Sequence, residues 1–256
     1  MLRQELDAIL MSEDVEASLR AHWGEIADSI PELGALAMED GAGRHKDNVE
    51  HTILVTARTP ARLRVRLLGL FHDVGKPPTR VLEDDGTVTF HLHESVGEKI
   101  TKDVLGRLGY PKDIAGGVSR LVGLSGTTKG SELWSDSAVR RFVKNTGGLL
   151  DDLFDFVAVD VTSKHLWKHE AVAREVAGLR AHVVAVAALD TKRAWRPVVS
   201  GDEIMARYAL SPGKSVGQAL GALTTAQKAA EGRGEDFSQD SAWTLLDTIF
   251  GDVASG

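Results

Sequence analysis

The segment Leu70-Phe71-His72-Asp73-Val74-Gly75-Lys76-Pro77 sets an imidazole beside a carboxylate at the end of a strongly apolar run, Ala61 to Phe71. Gly75 and Pro77 are helix-stop signals, so the pair sits at a helix C-terminus with part of its periphery open. Adjacent helical residues diverge by roughly 100°, but at a frayed end both side chains can reach one ion. A histidine nitrogen with an aspartate oxygen suits Zn, Mn, Fe, Co or Mg. One His-Asp dipeptide is a weak signal by itself, and its context must raise it. In DDLFDFVAVD, Leu153, Phe156, Val157 and Asp160 fall at i, i+3, i+4 and i+7, the buried stripe of a helix. A carboxylate there has to be paired, neutralised or metal-bound. Val65, Leu68 and His72 share one face, and His51 lies with Leu54 and Val55. Each of these residues taken singly fits a satisfied core polar group. As a set, His51, His72, Asp73 and Asp160 point to a metal.

The elements that must position them follow from hydrophobic periodicity. Residues 1–30 read as helix, with Leu2, Leu6, Ile9 and Leu10 on one stripe and Val15, Leu19, Trp23 and Ile26 on another, before Pro31. Asp47 begins a helix to about Arg58, Thr59-Pro60 ends it, and Ala61 to Asp73 form the next. VLEDDGTVTF (81–90) holds two short β-rich runs around Asp85-Gly86, a hairpin signal. Further helices fit Glu94–Leu108, Lys112–Leu124, Ser135–Lys144, Leu149–Lys164 and Lys168–Leu189. Beyond Thr191 the chain shortens into helices at Asp202–Tyr208 and Ser215–Ala230, and one capped by Ser238 reaching about Phe250. The expected fold is all-α with one small hairpin insert. It divides into an N-terminal helical segment (1–30), a helical domain (31–190) and a small helical tail (191–256).

Composition narrows the function classes. The 256 residues are 43% hydrophobic and 26% charged, ordinary for a globular protein with a real core. No apolar run approaches the ~20 residues that cross a bilayer, and the first residues lack a signal peptide's apolar core. Without cysteine there is no disulfide scaffold, zinc finger or thiol nucleophile, and a cytoplasmic location is the expectation. A net charge of −7 argues against nucleic-acid binding by the whole surface, though not by a local basic patch.

His51, the pair at 72–73 and then Asp160 resemble the HD superfamily of metal-dependent phosphohydrolases. RHKDNVEHT (44–52), LFHDVGKPPTR (70–80), TFHLHESVGEK (89–99), WSDSAVRRFV (134–143), DVTSKH (160–165) and GDEIMARYALSPGKSVGQAL (201–220) extend the likeness. In that order they resemble the C-terminal half of bacterial CCA-adding tRNA nucleotidyltransferases. The resemblance implies an HD-domain helical bundle and a tail similar to the tRNA-binding body. It implies a divalent ion (Mn, Co, Ni, Mg, Fe or Zn) held by His51, His72, Asp73 and Asp160. Asp73 would orient water or bridge to another ion, and His93 would face the phosphate or a second metal.

Other cations are candidates for the substrate side. Lys76 follows the pair where an anion would sit, and is otherwise a solvated loop lysine. His91 is expected on the same side as His93 along a strand-like run, or in a surface role. His45 is either substrate-facing or a helix cap, and Arg140 shares a basic face with Arg141 and Lys144 beside Trp134. The basic residues Lys164, Lys168, Arg174, Arg180, Lys192, Arg193 and Arg196 read mostly as solvated helix faces, as do His165 and His169.

Two departures from the family pattern matter. The nucleotide-transferring head would precede this region and no such motif occurs in the first forty residues, so CCA addition by this chain alone is not expected. Ser125 in Leu121-Val-Gly-Leu-Ser125 stands where many relatives have a histidine that helps bind a second metal, so a single-metal site or a degenerate one is expected. The leading expectation is a hydrolase of phosphomonoesters or 2′,3′-cyclic phosphates on nucleotides or RNA ends, with tRNA a possible partner. The competing expectation is a non-catalytic RNA-binding or partner module.

Overall fold

The computed structural model describes residues 1–38, 47–163, 165–194 and 196–251. His45 and Lys164 lie outside them. The helices, in chain order, are α1 (Arg3–Leu10), α2 (Val15–Ser29), α3 (Pro31–Gly34), α4 (Asn48–Arg58), α5 (Leu63–Phe71), α6 (Lys76–Thr79), α7 (His93–Arg107), α8 (Lys112–Leu124), α9 (Asp136–Thr146), α10 (Leu150–Val157), α11 (Leu166–Ala194), α12 (Gly201–Tyr208), α13 (Lys214–Gly232) and α14 (Gln239–Phe250). A two-stranded antiparallel hairpin, β1 (Val81–Leu82) and β2 (Val88–Thr89), pairs Val81 with Thr89 and Leu82 with Val88. Gly86 turns it with φ 79°. The expected all-α class with one hairpin is what the chain forms.

Two compact units divide the chain at Val186/Ala187. The first is built around α5, whose residues from Val65 to Phe71 are all buried. Enclosure by α1, α4, α8 and α10 explains why this helix is apolar on nearly every face. Its one buried cation, Arg66, donates to the Leu10 carbonyl at 2.9 Å. Gly69 lets α4 come close, since a Cβ there would lie 2.8 Å from the Thr56 Cα. Asp47 caps α4 by accepting from the Glu50 N–H at 3.0 Å. Gly109 in the left-handed region, with Pro111 after it, separates α7 from α8, and those two helices pack on each other.

The N-terminal segment is not one helix. The chain breaks at Met11–Asp14 because the Asp14 carboxylate takes the Ala17 N–H at 3.0 Å and starts α2 afresh. Leu6, Leu10, Leu19 and Ile26 are fully buried in the same core as α5. The second unit has its own core of Val199, Ile204, Tyr208, Ala219, Leu223, Ala242 and Leu246. Ser200 and Glu203 form a reciprocal capping box at α12, and Ser238 caps α14.

Candidate metal centre

Three segments deliver the ligand-type side chains. α4 carries His51 on its buried face, the C-terminal end of α5 carries His72 and Asp73, and the turn after α10 carries Asp160. That last placement corrects the helical reading of Leu149–Lys164. α10 ends at Val157, and Asp160 follows it in a turn held by its N–H donating to the Phe156 carbonyl at 3.1 Å. The i+7 spacing still brings the carboxylate to the right side, but its side chain is 29% exposed rather than enclosed. It forms the open wall of the cluster.

The Nε2 atoms of His51 and His72 stand 3.1 Å apart. Asp73 Oδ2 lies 3.3 Å from His72 Nε2 and 3.6 Å from His51 Nε2. Asp160 Oδ1 lies 3.3 Å from His51 Nε2 and 3.6 Å from His72 Nε2. The far nitrogens are fixed by oxygens: His72 Nδ1 is 2.8 Å from the Gly69 carbonyl and His51 Nδ1 is 2.8 Å from Thr162 Oγ1. A carbonyl only accepts, so His72 Nδ1 carries the proton and a neutral ring presents its Nε2 lone pair to the centre. With Thr162 accepting from His51, the second ring does the same. Two nitrogens each about 2.1 Å from one ion sit roughly 3.0 Å apart at a right angle and roughly 3.4 Å apart at a tetrahedral one, and the observed separation lies between these. Ligand atoms of His51, His72 and Asp160 all lie within 4.8 Å of one another, and the donor set fits a divalent cation.

Electrostatics agree with the geometry. Burial disfavours a charged His72, yet Asp73 and Asp160 outweigh burial and raise its pKa. Burial also opposes ionisation of Asp73, but His72, Lys76 and His51 hold it well below the usual carboxylate range. Asp160 is lowered against burial by His72 and His51, with Asp73 working the other way. The centre is built for two anions and a cation between them.

The cluster floors a cleft of about 510 Å³. Lys76 is buried in its wall, with Nζ 2.6 Å from Asp73 Oδ2. Across the cleft lie His93, Glu94, Ser125, Gly126, Lys129 and Lys168. Ser125 Oγ donates back to the Val122 carbonyl at 2.8 Å. Gly75 makes the junction between the His-Asp turn and α7 possible: a Cβ there would fall 2.0 Å from the His93 carbonyl oxygen and 2.6 Å from the Gly97 nitrogen.

Of the remaining candidates, His93 lines the cleft, whereas His91 and Arg140 do not and are exposed. Alternation along a strand cannot relate His91 to His93. Strand β2 ends at Thr89, and Leu92 adopts φ 63°, so the chain turns between them before α7 begins at His93. Thr162, Glu94 and Lys129 belong to the site but carry no spacing signal. Thr162 is recognisable only once His51, 111 residues earlier, is placed against it.

Comparison with known proteins agrees with this geometry. The family model described as "HD domain" matches residues 35–150. The chain is 34% identical over 241 residues to a CC-adding tRNA nucleotidyltransferase of Thermus thermophilus, covering 91% of this chain and 53% of the relative. It is 32% identical over 239 residues to an A-adding tRNA nucleotidyltransferase of Deinococcus radiodurans, covering 90% of this chain and 54% of the relative. The chain therefore spans about half the length of these curated relatives. No helix among the described residues is long and apolar enough to cross a membrane. The chain carries an HD domain and is homologous to the C-terminal portion of tRNA nucleotidyltransferases.

Proposed function

We propose that this chain is a metal-dependent phosphohydrolase acting on phosphomonoesters or 2′,3′-cyclic phosphates of nucleotides or RNA ends. The observation that carries the reading is the convergence of His51, His72, Asp73 and Asp160 with both Nδ1 atoms hydrogen-bonded to oxygens. These four residues would hold the ion, which supplies Lewis-acid neutralisation of phosphate charge and a more acidic water. Asp73, shared between the imidazoles and Lys76, orients the nucleophilic water and takes up its hydrogen bond. Lys76, Lys129, Lys168 and His93 border the same cleft and receive the phosphate oxygens. The printed names of the relatives concern tRNA, and they favour an RNA end or a nucleotide as substrate. The helical unit from Ala187 onward, resembling a tRNA-binding body, is assigned to RNA contact.

Ser125 favours a second reading. Its hydroxyl is spent on the Val122 carbonyl, at the position where the family resemblance would place a second-metal histidine. A non-catalytic module that grips structured RNA follows if the centre is only structural. The deciding experiment measures metal content of the purified chain and phosphate release from 2′,3′-cyclic AMP with Mn, Co, Ni, Mg, Fe or Zn. Near-stoichiometric metal, with turnover abolished in Asp73→Ala, supports the hydrolase. Absence of turnover with every ion, together with RNA affinity that falls steeply with salt, supports the module instead.

A further inference from the structure

Trp167 is 61% exposed in the first turn of α11, next to Leu166 at 71%. A single exposed aliphatic side chain is unremarkable, but this indole adjoins a residue that lines the cleft. Its neighbour Lys168 lines the cleft and places Nζ 5.5 Å from the indole centroid. The His165 ring lies 6.4 Å away, inclined by 29°. An aromatic face, an adjoining imidazole and the ammonium of the cleft-lining Lys168 thus lie together beside the cavity. Asp160 to Ser163, the segment leading to this turn, form part of the cavity wall.

We propose that Trp167 is the platform on which the base of a nucleoside monophosphate, or of a terminal RNA nucleotide, stacks while its phosphate lies in the cleft. This rests on the phosphohydrolase reading for the phosphate end and adds the recognition of the other end. Every base presents a π-face, so such a platform is tolerant of sequence. It selects nucleotides over phosphate esters that have no base. Lys168 serves both ends, with its charge directed at phosphate and its position over the indole giving a cation–π contact.

Calorimetric titration of the full, metal-free chain with adenosine 5′-monophosphate and with ribose 5-phosphate tests this without turnover. The wild type should bind the nucleotide on the order of tenfold more tightly than the sugar phosphate, the size expected for one stacked base. Trp167→Ala should close that gap without altering ribose 5-phosphate affinity, and Trp167→Phe should retain most of it. Equal affinities in the wild type, or a gap that survives in Trp167→Ala, would overturn the proposal. The two readings fail separately. A missing gap alongside robust hydrolysis removes only the Trp167 platform. A Trp167-dependent gap with no hydrolysis under any ion upholds the platform and removes the hydrolase.

Discussion

His51 and His72 face each other through Nε2 atoms 3.1 Å apart while each Nδ1 is held by an oxygen. In two neutral rings with Nδ1 protonated, that contact is lone pair against lone pair, with two carboxylates alongside. A proton shared between the rings relieves the repulsion in part, and a divalent ion relieves it fully. Metal should therefore stabilise the native state strongly. At a hundred times Kd the gain is about 2.7 kcal/mol, read as a rise in Tm with Mn or Zn. His72→Ala and Asp160→Asn should lose most of that rise, and an undiminished shift in both would exclude this centre.

Thr162 orients the His51 ring from 2.8 Å. Thr162→Val, which keeps the shape and removes the hydroxyl, should weaken metal binding roughly 10–100-fold. Thr162→Ser should bind close to wild type. Competition against a chromogenic chelator gives the affinities, and equal values for Val and Ser would refute the orienting role.

Gly75 is required by proximity and not by an unusual φ. A Cβ would meet the backbone of His93 and Gly97 at 2.0 and 2.6 Å, and neither can swing aside. Gly75→Ala should cost at least the roughly 1–3 kcal/mol typical of overpacking and displace the His-Asp turn. Chemical denaturation measures the first effect and metal titration the second. A variant with wild-type values of both would show that α7 yields.

Lys76 and Asp73 form an enclosed pair at 2.6 Å. Removing one member of such a pair leaves the other as an uncompensated charge, costing about 3–5 kcal/mol. Lys76→Met should therefore destabilise the metal-free protein. Divalent metal should recover more stability in Lys76→Met than in the wild type, because it supplies Asp73 with a cation. Equal metal-induced increments in the two proteins would count against this coupling.

Tyr110 reports on alkaline stability. Its buried hydroxyl donates to Asp7 Oδ1 at 2.6 Å, and burial followed by that hydrogen bond pushes its pKa up. A raised folded-state pKa means a contribution fully present below the unfolded value of about 10 and lost as pH climbs toward the folded value. The limiting slope is about 1.4 kcal/mol per pH unit. Thermal melts from pH 9 upward should fall more steeply for the wild type than for Tyr110→Phe, and parallel curves would contradict the assignment.

Much of this was legible in the chain because local signals and burial agreed. Asp47 and Ser238 announce their helices by capping, and Gly109 with Pro111 closes α7. The His72-Asp73 turn was visible because an all-apolar run ends in Gly and Pro. Periodicity misled where a polar side chain captured backbone groups, as Asp14 does in splitting α1 from α2. It also ran past Val157, since a single backbone bond carries Asp160 one step beyond a helix that has already ended. Thr162 and Lys129 were invisible as site residues because their roles exist only across long chain separations.

That separation has a mechanical consequence. His51, His72 and Asp73 precede the exposed hairpin at residues 81–89, and Asp160 follows it. An ion grasped by both sides would act as a reversible staple between positions 51 and 160, the kind of closure that restricts an unfolded chain most. Nicking the backbone at Asp84-Asp85 would divide the ligands between two fragments, and chelation would then loosen a joint that the peptide bond no longer secures.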